Sequence, residues 1–391
     1  MSDKCDLKDS IEQLRELLSK GHHTWLLGAG ASYASHIPLI AKMTELVVSK
    51  VSDDVTGKKV ISAASSVLGG QPNIEVILSQ VGDYLALARR ASNKTVAITP
   101  DVIVTLDELM AAYRMVVKEI ADLVTFGYNA STNARGTPAD PLISTEHHQQ
   151  FFSSLLKQIH QDSKKSGVNF VTTNYDTLIE DSLNMIGQRT VDGFVGGAVG
   201  YWSPADELNV NPSFDHHKVV KLHGSADWFE MPNGKVVRRR GNIKDLKSLE
   251  RVVIYPQSTK YTVTQRDPFI QMFRRFRELL QEEHHAAPVL FTCGYSWGDE
   301  HINEEIKASF THFNSRLHVV SFCQKLPDYL RDMFLDEDID KSAKNRLVVA
   351  TEMGCHCGSA TLTHPSPTGL NLDWWKFIEL GRFIAGGNPH V

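Results

Sequence analysis

Three stretches of this chain end an apolar run in residues able to orient a sugar or move a proton. In FVTTNYDTLIE (170–180) the run gives way to Thr173, Asn174 and Asp176. In VVKLHGSADW (219–228) it gives way to His223, Gly224 and Ser225, and in VLFTCGYSWGDEHIN (289–303) to Gly294, Tyr295, Ser296 and Asp299. A fourth stretch, TWLLGAGASYASHIP (24–38), places Gly28, Ala29 and Gly30 directly after Thr24–Leu27, with Ser32 beyond. An amide accepts and donates at once, so Asn174 suits the positioning of a water. An imidazole titrates near neutrality, so His223 can take a proton from water or a ribose hydroxyl. Gly28 and Gly30 would let backbone approach phosphate oxygens. A helix N-terminus after them would add N–H donors and a positive dipole end, and Ser32 a hydroxyl.

Each of these residues also has a plainer reading. Two glycines fit a tight strand-to-helix turn with no ligand. Asn174 and Asp176 could cap the helix TLIEDSL, with ribose hydroxyls the other partner for Asp176. His223 could be a buried histidine bonded to backbone. Gly294 and Ser296 are expected to approach a ligand in the crevice, and Asp299 to cap a helix. The dehydrogenase fingerprint is not met, because its third glycine falls at Tyr33. No GxxxxGK[ST] loop is present. No metal-binding residues are expected. The histidine pairs at 22–23, 147–148, 216–217 and 284–285 lack metal spacing. The CxC pair Cys355 and Cys357 with His364 would need a fourth ligand and the usual spacing.

These residues need a frame. LKDSIEQLRELLSK (7–20) puts Ile11, Leu14, Leu17 and Leu18 on one helical face, and Gly21 would stop it. A second helix should start near Ser32 or Pro38 and carry Leu46, Val47 and Val48. Residues 55–160 have helical periodicity broken by GGQPN and NASTNARGTPADP. Strand signals then come in series at 168–172, 219–222, 252–255, 289–292, 317–322 and 347–350, with helices at 176–185 and 269–285 between. Short apolar runs without strict alternation suit strands covered on both faces. The expected fold is α/β: a doubly wound, mostly parallel Rossmann-like sheet with a helical insertion. Residues 1–54 and 161–391 would form the discontinuous sheet domain and 55–160 the insertion. In such a sheet the turns after the strands face the ligand crevice.

The 391 residues allow a large core, and 42% apolar with 22% charged content is ordinary for a globular protein. A net charge of −5 gives no bulk attraction for nucleic acid, and direct nucleic-acid binding is not expected. A local basic run such as KVVRRR (235–240) is more often a solvated loop or strand edge. No apolar run reaches the length of a membrane span, and MSDKCDLKDS lacks a signal-peptide core. A cytoplasmic protein without membrane contact is expected, its five scattered cysteines reduced. The aromatic helix at 374–383 either covers the core or makes a subunit contact.

GAGAS, TTNYD, KLHGS and GYSWGDEHIN, in that order, resemble the sirtuin-like NAD-binding fold, and within it the sirtuin-like NAD-hydrolysing effectors of bacterial antiphage defence. The resemblance covers roughly 20–50 and 165–325. Protein-deacylase sirtuins carry a zinc ribbon of two CxxC pairs and continue GAGxS with GIPDFR. This chain has no CxxC and reads HIPLIAK there. The resemblance therefore implies an NAD⁺ glycohydrolase rather than a deacylase, with NAD⁺ as substrate and no metal required. It assigns Asn174 and His223 as the catalytic pair, and implies a homo-oligomer working with a HerA-type ATPase. A non-catalytic scaffold sensing NAD⁺ or ADP-ribose for a partner ATPase or nuclease is the alternative.

Overall fold

The computed structural model describes residues 7–19, 23–159, 168–203, 216–240, 249–253, 267–281, 287–366 and 370–389. Expectations for Cys5, Gly21, His22, residues 254–255 and 282–285, and the 284–285 histidine pair lie outside these residues.

The central sheet has nine strands: β1 (His23–Leu27), β2 (Asn169–Thr172), β3 (Arg189–Val191), β4 (His216–Lys221), β5 (Val289–Cys293), β6 (His318–Phe322), β7 (Leu347–Thr351), β8 (Gly354–Cys357) and β9 (His364–Pro365). Their order is β9-β8-β7-β6-β5-β1-β2-β4-β3. Only β8, near one edge, runs against the rest, pairing antiparallel with β7 and β9. The chain turns back across the sheet on either side of β1, so the crevice opens between the turns that follow β1, β2 and β5. This is the Rossmann-like α/β architecture the apolar runs imply.

Both faces of the sheet are covered because successive side chains point to opposite sides. Trp25, Leu27, Phe170, Phe291 and Phe322 face one core with α1 (Leu7–Ser19), α6 (Glu146–Ile159) and α11 (Phe377–Ile384). Leu26, Val171, Val220, Leu290 and Val319 face the other with α8 (Phe269–Gln281), α9 (Glu300–Thr311) and α10 (Asp328–Leu335). Trp374 is fully buried and donates its indole N–H to Thr351 O at 2.8 Å. The C-terminal aromatics thus complete the sheet core.

Four helices, α2 (Ile40–Val51), α3 (Val55–Leu68), α4 (Ile74–Arg90) and α5 (Leu106–Phe126), bury their apolar faces in a third core. Their starts are set locally. Asp54 and Asn73 accept N-cap hydrogen bonds, and Thr105 with Glu108 closes a capping box. This core extends to Leu178 and Ala226, next to the residues singled out at the strand ends. α6 packs on the sheet instead, against α11.

The strand expected at 252–255 is not in the central sheet. Residues Glu250–Val253 belong to a five-stranded antiparallel sheet with Phe194–Gly196, Val199–Trp202, Gly224–Glu230 and Val236–Arg239. The KVVRRR run is one of its strands. Arg238 pairs with Asp192 and Arg240 with Asp227, while Arg239 lies over the Phe229 ring at 4.1 Å. Among the described residues, no helix is long and apolar enough to cross a membrane.

His148 on α6 is buried between Ser35 and Phe377, and burial pushes its imidazole down to about 3. The depressed value stabilises the fold above the ordinary histidine range, and that stability is lost as pH falls from about 6.5 toward 3. The unfolding free energy from urea titrations should therefore drop on acidification by about 1.4 kcal/mol per pH unit from this group. His148→Asn should flatten that slope below pH 6.5; an unchanged slope would assign it to other groups.

Candidate functional site

The turn after β1 folds onto the turn after β5. Gly28 N donates to Cys293 O and Gly30 N to Gly294 O, both at 3.0 Å, and Ala31 N donates to Gly28 O. A Cβ on Gly28 would lie 2.4 Å from Gly294 O, and one on Gly30 would lie 2.7 Å from Gly294 Cα. Gly294 itself has φ +65, and its Cβ would meet Ala31 N at 2.3 Å. These glycines let two backbones touch. The Gly28 and Gly30 N–H groups are engaged there rather than pointed at a phosphate. The helix expected to follow is one turn, Ala29–Ser32, and the long helix begins only at Ile40. A long-helix dipole is therefore absent at this turn. Gly294→Ala should cost about 3 kcal/mol or more, from a disfavoured φ together with a backbone clash. Thermal melts would check this, and a loss below about 1 kcal/mol would mean that the turns separate easily.

The turn after β2 carries the polar cluster. Thr172 Oγ1 donates to Leu27 O and accepts from Asn174 N, which ties the turn to β1. Asn174 Nδ2 donates to Gly28 O at 3.0 Å and to Ser32 Oγ at 2.9 Å. A backbone carbonyl only accepts, so this contact fixes which end of the amide is nitrogen. Among the described residues, Asn174 Oδ1 makes no hydrogen bond and remains an acceptor. Ser32 Oγ in turn donates to Asp176 Oδ2 at 2.7 Å, and Asp176 Oδ1 accepts from Leu178 N at 3.0 Å. Asp176 is buried and does two jobs: it caps α7 (Leu178–Met185) and holds Ser32.

His223 follows β4. Thr172 and Lys221 are register partners across β2 and β4, so Asn174 and His223 each leave the sheet two residues later, at the same level. Neighbouring strands lie about 4.8 Å apart. The His223 imidazole is buried, with Nε2 3.8 Å from Asp299 Oδ1 and its ring stacked on His301 at 5.6 Å between centroids. Asp299 occupies the N-cap position of α9, but its side chain makes no capping hydrogen bond. The expected cap is thus corrected: the carboxylate turns to the histidine. Ser225 Oγ donates to Tyr175 O at 3.3 Å, closing the β4 turn on the β2 turn.

The structure therefore brings together Gly28, Gly30, Ser32, Asn174, Asp176 and Gly294 in one bonded network. His223, Gly224 and Ser225 lie beside it. Ala29 and Ser296 are exposed, and Thr173 is half-buried while its neighbour Thr172 makes the bonds. Two contacts were not anticipated. Asp299, expected only as a helix cap, faces His223 together with His301, and their DxH spacing at the start of α9 was the available signal. Lys221, fully buried, donates to Asp176 O and lies 3.4 Å from Glu180 Oε1.

Residues 168–343 match the SIR2-like domain. SIR2-like domains bind NAD⁺ and act as NAD-dependent enzymes. The matched span contains the β2, β4 and β5 turns, while the β1 glycine turn precedes it. A solved structure described as "The Structural basis of Sirtuin Substrate Affinity" is similar at 12% identity, covering 84% of this chain and 90% of its own, with a TM-score of 0.36. That likeness is too distant to carry residue roles. Comparison with curated proteins gave no match.

Proposed function

We propose that this chain is an NAD⁺ glycohydrolase, cleaving NAD⁺ to nicotinamide and ADP-ribose. The observation that carries the reading is the Asn174 amide, pinned by Gly28 O and Ser32 Oγ so that Oδ1 is left as an acceptor beside the turn that bears His223. The match to a SIR2-like domain supports NAD⁺ as the ligand.

In this reading the bond from the ribose anomeric carbon to the nicotinamide nitrogen breaks first. The leaving pyridinium becomes neutral, so no general acid is needed. Positive charge develops on the ribose, and a water attacks the anomeric carbon. Asn174 Oδ1 accepts one water hydrogen and orients the lone pair, and His223 takes the proton that the water loses. That proton then passes to solvent. Asp176 and Ser32 act by holding the amide rather than by touching the water.

The biological extension is NAD⁺ depletion in antiphage defence, by a homo-oligomer controlled through a HerA-type ATPase. Its support is the resemblance of the four ordered motifs. The test is NAD⁺ consumption by the purified chain, with and without such an ATPase, beside Asn174→Ala and His223→Ala. Nicotinamide release by the wild type and none by the folded variants supports the enzyme. A raised melting temperature with NAD⁺ or ADP-ribose but no turnover under any condition would favour the scaffold.

A further inference from the structure

His223, Asp299 and His301 come from two separate segments and converge. One nitrogen of each imidazole and one carboxylate oxygen all lie within 4.8 Å of one another. We propose that these three residues bind a divalent transition metal of borderline hardness, with Zn²⁺ the best match. Two neutral imidazoles and one carboxylate form a donor set that suits such an ion, and its charge would neutralise Asp299.

The geometry is close to that of a bound ion. A tetrahedral Zn²⁺ with bonds of about 2.1 Å holds its donors about 3.4 Å apart. His223 Nε2 and Asp299 Oδ1 are already 3.8 Å apart, so small side-chain rotations close the set. The local conformation points the same way. Asp299 occupies the N-cap position of α9, and its carboxylate lies toward His223. The His301 ring lies 5.5 Å from Phe273, whose packing limits its rotation. A fourth position remains for water or a substrate oxygen, as in open zinc sites.

The site does not depend on the proposed hydrolysis, and binding is tested without NAD⁺. If both hold, an ion on His223 engages the lone pair that would accept a proton, and Zn²⁺ inhibits NAD⁺ cleavage. The full chain is stripped with a chelator, dialysed against Zn²⁺ and read by elemental analysis. Co²⁺ loading is read by visible absorption. The expected result is about one Zn²⁺ per chain, with tetrahedral Co²⁺ bands. His301→Ala and Asp299→Ala should lose both signals while keeping the metal-free melting temperature. Should either fail to fold, His301→Gln and Asp299→Asn carry the test. Cys357→Ser, in the separate Ser10, Cys357 and His364 cluster, should leave binding unchanged. Absence of bound metal, equal binding by the His301 and Asp299 variants, or loss only in Cys357→Ser would overturn the proposal.

Discussion

His223→Ala should lower kcat for NAD⁺ cleavage by about 10²–10⁴-fold, the usual contribution of a positioned general base. The imidazole acts on the proton leaving the water, not on bound NAD⁺, so KM should change far less than kcat. The dependence of the rate on an imidazole base should vanish with it. Asn174→Ala should cost about 10²–10³-fold, because the water loses its acceptor and its orientation. The two losses should not add, since both groups act on one water. Asn174→Asp is the sharper variant. It keeps an acceptor oxygen but sets a second oxygen against Gly28 O and removes the donor to Ser32. Activity should fall nearly as far as with alanine. Steady-state kinetics on folded variants decide it. If Asn174→Asp keeps more than about a tenth of wild-type kcat, the pinned amide is not what orients the water.

The central sheet was legible because its strands are apolar on both faces. Trp25 and Leu26 must each be buried, on opposite sides, and only a strand covered by helices does that. The five-stranded sheet was not legible. Its first two strands are short, and FVGGAVGYW offers glycines where a strand signal needs branched side chains. The site was legible in its residue types and less so in its bonding. Asn174, Asp176 and His223 stand out because a strand end is where ligands bind. The glycines stand out too, but residue type cannot say whether a missing Cβ makes room for a phosphate or for another backbone. Gly28, Gly30 and Gly294 make room for one another. Asp299 was ambiguous for a related reason. A carboxylate at a helix start can turn inward to the free N–H groups or outward across the crevice, and only the position of His223 decides. Lys221 was overlooked because one lysine in VVKLHGS reads as an exposed strand position. Its partners, Asp176 on the β2 turn and Glu180 on α7, belong to a different segment.

Lys221→Met should be the most destabilising of these substitutions, by about 3–5 kcal/mol, because it strands a buried carboxyl. Lys221 and Glu180 are both buried, and the ammonium also donates to Asp176 O. Burial pushes the Glu180 carboxyl up to about 7, and the Lys221 charge opposes that rise. A carboxyl raised above its ordinary 4.5 stabilises the fold below that value, and the contribution is lost as pH rises through about 7. Without Lys221 the carboxyl rises further, so the variant should lose more stability relative to wild type at pH 8 than at pH 5. Lys221→Met with Glu180→Gln removes the stranded charge and should recover part of the loss, a coupling that a double-mutant cycle measures. Recovery of stability should exceed recovery of activity. Asp176 O still lacks its donor in the double variant, and Asp176 holds Ser32, which holds Asn174. Urea unfolding at both pH values, paired with NAD⁺ turnover, tests the chain of contacts. A pH-independent loss below about 1 kcal/mol would show that the pair is relaxed by water and does not brace the Asn174 turn.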